Sequence, residues 1–122
     1  MKITKIFFHL INLIFIIFYL YPGSILGFIL YSNFSKQPQV TPDFYFSSNH
    51  VYAFMALTFL GVISHVNKKH ILIYFTFISI FLELSHLIIP NRSFQFGDLF
   101  GNILGIILSI LIIKIYNYLE KK

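Results

Sequence analysis

Long apolar runs separated by short polar segments dominate the chain. The first run begins at Ile6, after Lys2 and Lys5, and is interrupted by Pro22 and Gly23. A helix that crosses a bilayer needs roughly 20 mostly apolar residues, and the later runs have about that length. The pattern therefore predicts four helices, at about residues 5–30, 45–66, 71–90 and 97–118.

The end of the first helix is open at this stage. Pro22 lacks the N–H group of a helix hydrogen bond, and Pro and Gly together often mark a turn. The helix either ends near Tyr21 or passes a kink, with residues 24–31 extending it or lying at the membrane interface. The basic start also resembles a secretory signal, but no small-residue cleavage site follows. We therefore expect an uncleaved anchor.

The composition requires lipid as the main solvent. Hydrophobic residues make up 57% of the 122 residues and charged residues 11%, whereas about a quarter of a soluble domain is charged. We expect an all-α, polytopic membrane protein with a single domain over residues 1–122. The absence of Cys excludes disulfides and thiolate metal sites.

The positive charges indicate the orientation of the four predicted spans. Only Lys36 and Arg92 fall on one side of the membrane. Seven fall on the other side, namely Lys2, Lys5, Lys68, Lys69, Lys114, Lys121 and Lys122. The positive-inside rule then places both termini in the cytoplasm. The net charge of +5 thus indicates topology and membrane lipid as partner, with no nucleic acid, and a place in the bacterial cytoplasmic membrane.

Polar or small residues recur at helical spacing on three predicted helices. The third helix has a polar face formed by Thr76, Ser79, Glu83 and His86. The fourth has small residues every four positions, at Gly97, Gly101, Gly105 and Ser109. The second shows a weaker pattern of His50, Ala53, Leu57 and Gly61. Because small residues let membrane helices approach closely, we expect these faces to turn inward, with the three glycines serving helix packing.

Rare ionisable residues are concentrated between the third and fourth helices. The chain has only four acidic residues and one Arg, yet two of those acids, the Arg and one His lie between residues 83 and 98. A bare carboxylate at Glu83 would cost roughly 2.5–3.5 kcal/mol in the membrane, so we expect it to be protonated or paired with a cation. The candidates are Arg92 and either His50 or His86. We predict a polar cluster at the outer leaflet, made of His50, Glu83, His86, Arg92, Asp98 and Asn102. We interpret it as a functional site, and the alternative is interhelical hydrogen bonding that only fixes packing.

A metal centre is not expected from these spacings. Glu83 and His86 form E-x-x-H, the half-site of di-iron helical bundles, but such sites need a second pair and further carboxylates. The zinc-protease motif H-E-x-x-H is absent as well. The sequence therefore predicts no metal and no cofactor.

The stretch ELSHLIIPNRSFQFGDLFGNILG resembles the signature of VanZ-like membrane proteins. The residues in register are Glu83, Pro90, Arg92, Asp98, Asn102 and Gly105. The segment SSNHVYAF is similar to the family's Asp-Lys-x-x-His segment, which makes His50 the matching His. The tetrapeptide YPGS, residues 21–24, also looks like the family's Leu-Pro-Gly-Ser. The resemblance covers most of the chain.

The chain departs from that pattern at three positions. His86 stands where the family usually has Gln, and Phe46 and Ser47 stand where it has Asp and Lys. A role of the Asp-Lys pair cannot be transferred, although Asp43 is available as a partial substitute for the acid. The family's founding member is associated with resistance to teicoplanin. The resemblance implies an integral membrane protein of the bacterial cell envelope and implies no reaction.

Three classes of function are compatible with these features. The first is an envelope protein that contributes to glycopeptide tolerance by binding a lipid-linked, lipoglycopeptide or other amphiphilic ligand, with Arg92 holding a phosphate or carboxylate. The second is a membrane enzyme acting on envelope lipids or lipid-linked glycans, with Glu83 or Asp98 as acid/base and His50 or His86 as proton carrier. The third is a non-catalytic helper of a larger envelope machine.

Overall fold

The structure, a computed structural model, describes residues 2–65 and 67–122, and within these ranges its regular secondary structure is entirely α-helical. The predicted all-α class is confirmed. There are five helices: α1 at Lys2–Leu20, α2 at Ile25–Tyr31, α3 at Ser48–Ser64, α4 at Lys68–Ser85 and α5 at Phe96–Glu120.

The first apolar run, predicted over about residues 5–30, forms two helices, so of the two alternatives that the sequence left open the first helix ends near Tyr21. After Leu20 the Pro22 ring removes a backbone donor. Gly23 has φ +148°, a conformation that side chains with a Cβ rarely adopt. Ser24 then starts α2, because its Oγ accepts a hydrogen bond from the Gly27 N–H at 2.9 Å.

The loop after α2 folds back onto that helix. A Cβ on Gly27 would overlap the Lys36 carbonyl oxygen, so only glycine allows this close approach. The rings of Phe28 and Phe34 stack with centroids 4.3 Å apart. These contacts place residues 33–40 beside α2 at the end of the bundle where α1 terminates and α3 begins.

Helix α4 ends earlier than the predicted boundary near residue 90. From His86 to Ile88 each backbone N–H donates to the carbonyl three residues earlier, at 3.1 Å, so the last turn tightens and the helix stops. Pro90 accounts for this, because a proline disfavours helical backbone in the residue before it. The resulting connection, residues 86–95, lies across the end of α1.

The helices pack around an aromatic and aliphatic core, and α5 packs most extensively against α3. Phe8, Phe54, Phe75 and Leu82 are buried at its centre. The Phe15 and Phe54 rings meet edge to face at 5.3 Å, which is a favoured aromatic geometry.

Two of the described helices, Lys2–Leu20 and Phe96–Glu120, are long and apolar enough to cross a membrane. Helix α3 is a shorter apolar helix, over Ser48–Ser64. Large hydrophobic side chains such as Leu13, Phe77 and Ile115 are exposed on the surface of the bundle. The four-span arrangement stays a prediction.

Candidate functional site

Glu83 lies at the centre of a network of polar side chains near the end of α4, and it is fully buried. Its Oε2 accepts a hydrogen bond from the Tyr19 hydroxyl at 2.5 Å. Its Oε1 accepts one from the Gln95 backbone N–H at 3.0 Å. The His86 Nδ1 lies 3.5 Å from the same Oε1. The carboxylate therefore ties together α1, α4 and the 86–95 connection.

Of the three candidate partners named from the sequence, His86 is the one that contacts the Glu83 carboxylate. Its Nε2 lies 2.9 Å from the Tyr19 carbonyl oxygen, and because a carbonyl only accepts, Nε2 must carry a proton. A second proton then lies between Nδ1 and the Glu83 carboxylate, since two facing lone pairs would repel each other. The pair shares that proton and carries no net charge.

Tyr19 connects Glu83 to the other half of the network, and sequence reasoning missed it. Its ring stacks on the His86 ring with centroids 4.7 Å apart. Its hydroxyl accepts a hydrogen bond from Asn102 Nδ2 at 3.1 Å and lies 3.1 Å from His50 Nδ1. Tyr19 sits in an aromatic-rich apolar run, and the signal that could have found it is Asn12, a polar residue seven positions earlier on the same helix face.

Asn102 fixes the orientation and the tautomer of His50. Asn102 is fully buried, and its Nδ2 donates to the Tyr19 hydroxyl and to the Ser79 carbonyl at 3.4 Å. Its Oδ1 therefore faces His50 Nδ1, at 2.8 Å, and accepts the Nδ1 proton. The His50 Nε2 is left with a lone pair, and it faces Asp98 Oδ2 at 3.7 Å.

Arg92 lies beside this network and does not pair with Glu83, which corrects one of the cation assignments. Its Nε donates to the Tyr21 carbonyl at 2.9 Å, and its Nη2 donates to the carbonyls of Phe18 at 3.2 Å and Gly23 at 2.6 Å. The Phe18 carbonyl lies in the last turn of α1, where a cation is favoured, and the other two belong to the turn that follows the helix. Burial lowers the pKa of Arg92 from its ordinary value, and the nearby acids oppose this change.

A cavity of about 580 Å³ opens above the network, a volume typical of small-molecule sites. Its polar lining includes Tyr19, His50, His86, Arg92, Gln95 and Asp98. Its apolar lining includes Phe15, Phe18, Ile25, Leu26, Val40 and Ala53. The α2 segment supplies two of these apolar residues, whereas the following loop adds the polar side chains of Gln37 and Gln39.

The structure brings five of the six predicted site residues into contact, and Arg92 lines the same cavity. The predicted packing glycines lie on the side of α5 that meets α3. A Cβ on Gly101 would lie 2.7 Å from the Ser47 carbonyl oxygen, and one on Gly105 would lie 2.5 Å from that of Val51. Gly97 is less tightly packed, since its Cβ would be 3.5 Å from the Tyr45 carbonyl oxygen.

Three possible metal ligands also converge here. Donor atoms of His50, Glu83 and Asp98 lie within 4.8 Å of one another. One imidazole and two carboxylates form a donor set that zinc-type ions accept. The spacing of these residues in the sequence gave no sign of such a set, because each comes from a different helix.

Together the fold and the site define a helical-bundle protein with a buried polar network beneath an amphiphilic cavity. A family model described as VanZ/LLP1 matches residues 6–117, and the chain belongs to this family. The resemblance inferred from the sequence motifs is confirmed. Comparison with curated proteins gave no match, and comparison with solved structures gave none either.

Proposed function

We propose that this protein binds an amphiphilic or lipid-linked envelope ligand that carries an anionic group, and thereby contributes to tolerance of teicoplanin-type glycopeptides. The cavity is the observation that carries the proposal. A ligand with a polar head and an apolar tail is complementary to a cavity lined by both polar and apolar side chains. Membrane lipids and lipid-linked intermediates have this character.

The charge of the polar lining favours an anionic head group. The pair of Glu83 with His86 is neutral when it shares one proton. Arg92 donates only to neutral carbonyls and forms no ion pair with any described residue. One positive charge therefore faces the cavity without an acid in contact, and a phosphate or carboxylate would compensate it.

We further propose four membrane spans with both termini in the cytoplasm and the cavity in the outer leaflet. Two contacts support antiparallel packing of α1 and α3. Ser64 Oγ donates to the Thr4 carbonyl at 3.3 Å, so the end of α3 lies beside the start of α1. At the opposite end of the bundle, the contact between Tyr19 and His50 lies at the cavity. The lysines of the α1 start and the α3–α4 connection thus lie opposite the cavity, as the positive-inside rule requires.

Lipid capture tests this proposal. The protein is purified from bacterial membranes in mild detergent and analysed by native mass spectrometry for co-purified amphiphiles. Ala53 lines the cavity, so Ala53→Phe fills the cavity without removing any group of the polar network. Ala56 is exposed on the same helix, and Ala56→Phe is the matched control.

We expect an anionic amphiphile on the wild type and on Ala56→Phe, with at least tenfold less on Ala53→Phe. Equal amounts of lipid on the two variants, or no specific lipid on the wild type, would overturn the proposal.

An enzymatic role is the second candidate, and the geometry of His50 favours it. The imidazole presents an unprotonated Nε2 beside Asp98 in the cavity, and Asn102 orients it, as in acid–base sites. Mass spectrometry of envelope lipids from cells that express wild type, His50→Gln or Asp98→Asn distinguishes the two roles. A catalyst converts one lipid into another, and both variants accumulate the unconverted lipid. A binding protein leaves the lipid pool unchanged.

A further inference from the structure

We infer that His50, Asp98 and Glu83 form a binding site for one divalent transition-metal ion of the zinc type, which opens into the cavity. This inference goes beyond the proposed ligand binding, because metal binding is measurable without any lipid. It follows from the tautomer of His50, the distances between the donor atoms and the groups that hold each donor in place.

Two electron-pair donors face the same small space. Asn102 Oδ1 accepts a hydrogen bond from the Nδ1–H of His50, so the neutral imidazole directs its Nε2 lone pair toward Asp98 Oδ2. A lone pair and a carboxylate oxygen repel each other unless a positive species lies between them. That species is either a proton or a metal ion.

The separation of the two atoms suits a metal ion better than a proton. The 3.7 Å between Nε2 and Oδ2 exceeds the roughly 2.7–3.2 Å of a good hydrogen bond. Zinc binds imidazole nitrogen and carboxylate oxygen at about 2.0–2.2 Å, so two such ligands around one ion lie roughly 3.3–3.8 Å apart. The observed distance falls in that interval.

Glu83 supplies the third donor after a small side-chain movement. All three donor atoms lie within 4.8 Å of one another, whereas two ligands of one zinc ion lie roughly 3.3–3.8 Å apart. Closing the set therefore requires a shift of roughly one ångström. With three protein ligands, the fourth coordination position of the ion faces the cavity, and an anionic group is a suitable fourth ligand.

Hydrogen bonds from surrounding residues fix the orientation of the donor side chains, as they do around the ligands of known metal sites. A metal-bound imidazole almost always donates its other N–H to a carbonyl or carboxylate, and here His50 donates to Asn102. The carboxylate of Glu83 accepts from the Tyr19 hydroxyl and the Gln95 N–H. His50 and Asp98 side chains are 19% and 18% exposed, so an ion can reach them from the cavity.

Calorimetric titration of Zn²⁺ into the detergent-purified protein tests the site, and the affinity tag must contain no histidine. We expect one equivalent to bind the wild type, with at least about tenfold weaker binding to His50→Gln and to Asp98→Asn. His65→Gln is the matched control, because the His65 and His9 rings lie 5.4 Å apart and form the competing imidazole pair. His65→Gln should bind like the wild type.

No saturable binding to the wild type, equal binding to His50→Gln, or loss of binding only in His65→Gln would overturn the inference. If the variants do not fold, X-ray absorption spectroscopy of zinc bound to the wild type tests the site instead. One imidazole and further oxygen ligands in the first coordination shell support the site, whereas two or more imidazoles contradict it. Lipid capture by the metal-free protein is measured separately, so failure of the metal site leaves the proposed ligand binding standing.

Discussion

Tyr19 joins the two halves of the polar network through a single hydroxyl group. That hydroxyl donates to Glu83 and accepts from Asn102, and the ring stacks on His86. Each partner comes from a helix other than α1 or from the turn that follows α4. Buried polar groups without partners cost free energy. By supplying those partners, Tyr19 allows polar atoms from four segments to lie together in an apolar bundle.

Tyr19→Phe should therefore destabilise the protein. The substitution removes only the hydroxyl and leaves Glu83 Oε2 without its donor in a buried position. We expect a loss of about 1–3 kcal/mol in the free energy of unfolding, measured by denaturant titration in detergent micelles. Tyr21→Phe is the control, because Tyr21 is an exposed residue just after the same helix. Equal effects of the two variants would argue against the central role of Tyr19.

The sequence allowed the acidic and amide members of the site to be predicted, and for a physical reason. Glu83 and His86 share a helix face, and Asp98 and Asn102 are rare polar residues at helical spacing. Tyr19 was not predicted, since tyrosine is common in apolar runs. The hydrogen bonds of Arg92 to backbone carbonyls were not predictable, because they depend on where the 86–95 connection crosses the end of α1. Its role in holding an anion stays a prediction.

The contact between α3 and α5 depends on small residues that let two backbones meet. Gly101 and Gly105 lie against carbonyl oxygens of α3. One turn further on, Ser109 Oγ donates to the Met55 carbonyl at 2.6 Å. This close approach brings Asn102 and Asp98 next to His50, so the packing glycines position the site without taking part in it.

Gly105→Ala and Gly97→Ala should have opposite consequences. A Cβ at Gly105 would lie 2.5 Å from the Val51 carbonyl oxygen and 2.9 Å from the Met55 nitrogen, so the helices must separate. Overpacking of this kind costs about 1–3 kcal/mol. The Cβ at Gly97 meets only ordinary contacts, and alanine favours helix by up to about 1 kcal/mol. Thermal unfolding should show a lower midpoint for Gly105→Ala only, and a similar decrease in both would contradict this explanation.

Helix periodicity predicted the elements well where the polar pattern was regular, and less well at their ends. The small-residue spacing of the last helix is visible in the sequence because it repeats every four residues. The break between α1 and α2 was left open, since a proline either kinks or ends a helix. The contacts of Gly23, Ser24 and Arg92 decide for the break, and they involve residues far apart in the sequence.

At the scale of the whole molecule, the two ends of the bundle differ in chemistry. One end carries the polar network and the cavity. The other carries the start of α1 and the α3–α4 connection, with their lysines. Between them the surface exposes large apolar side chains, which is the distribution expected of a bundle surrounded by lipid.

Cysteine labelling should reveal this polarity, because the natural chain contains no Cys. Single substitutions Lys36→Cys, Lys69→Cys and Lys122→Cys are treated with a membrane-impermeant maleimide in intact cells. We expect labelling only at position 36, and labelling at 69 and 122 after the membrane is permeabilised. Labelling of position 69 or 122 in intact cells would contradict the proposed orientation.

The central claim is that the polar network and its cavity form a functional site, in addition to stabilising the packing of the helices. Growth in teicoplanin, measured alongside thermal stability for cells that express Ala53→Phe or Ala56→Phe at equal abundance, tests it most directly. The claim predicts that filling the cavity through Ala53→Phe removes protection, that Ala56→Phe retains it, and that both proteins unfold at the wild-type temperature. Full protection from a stable Ala53→Phe protein would contradict it.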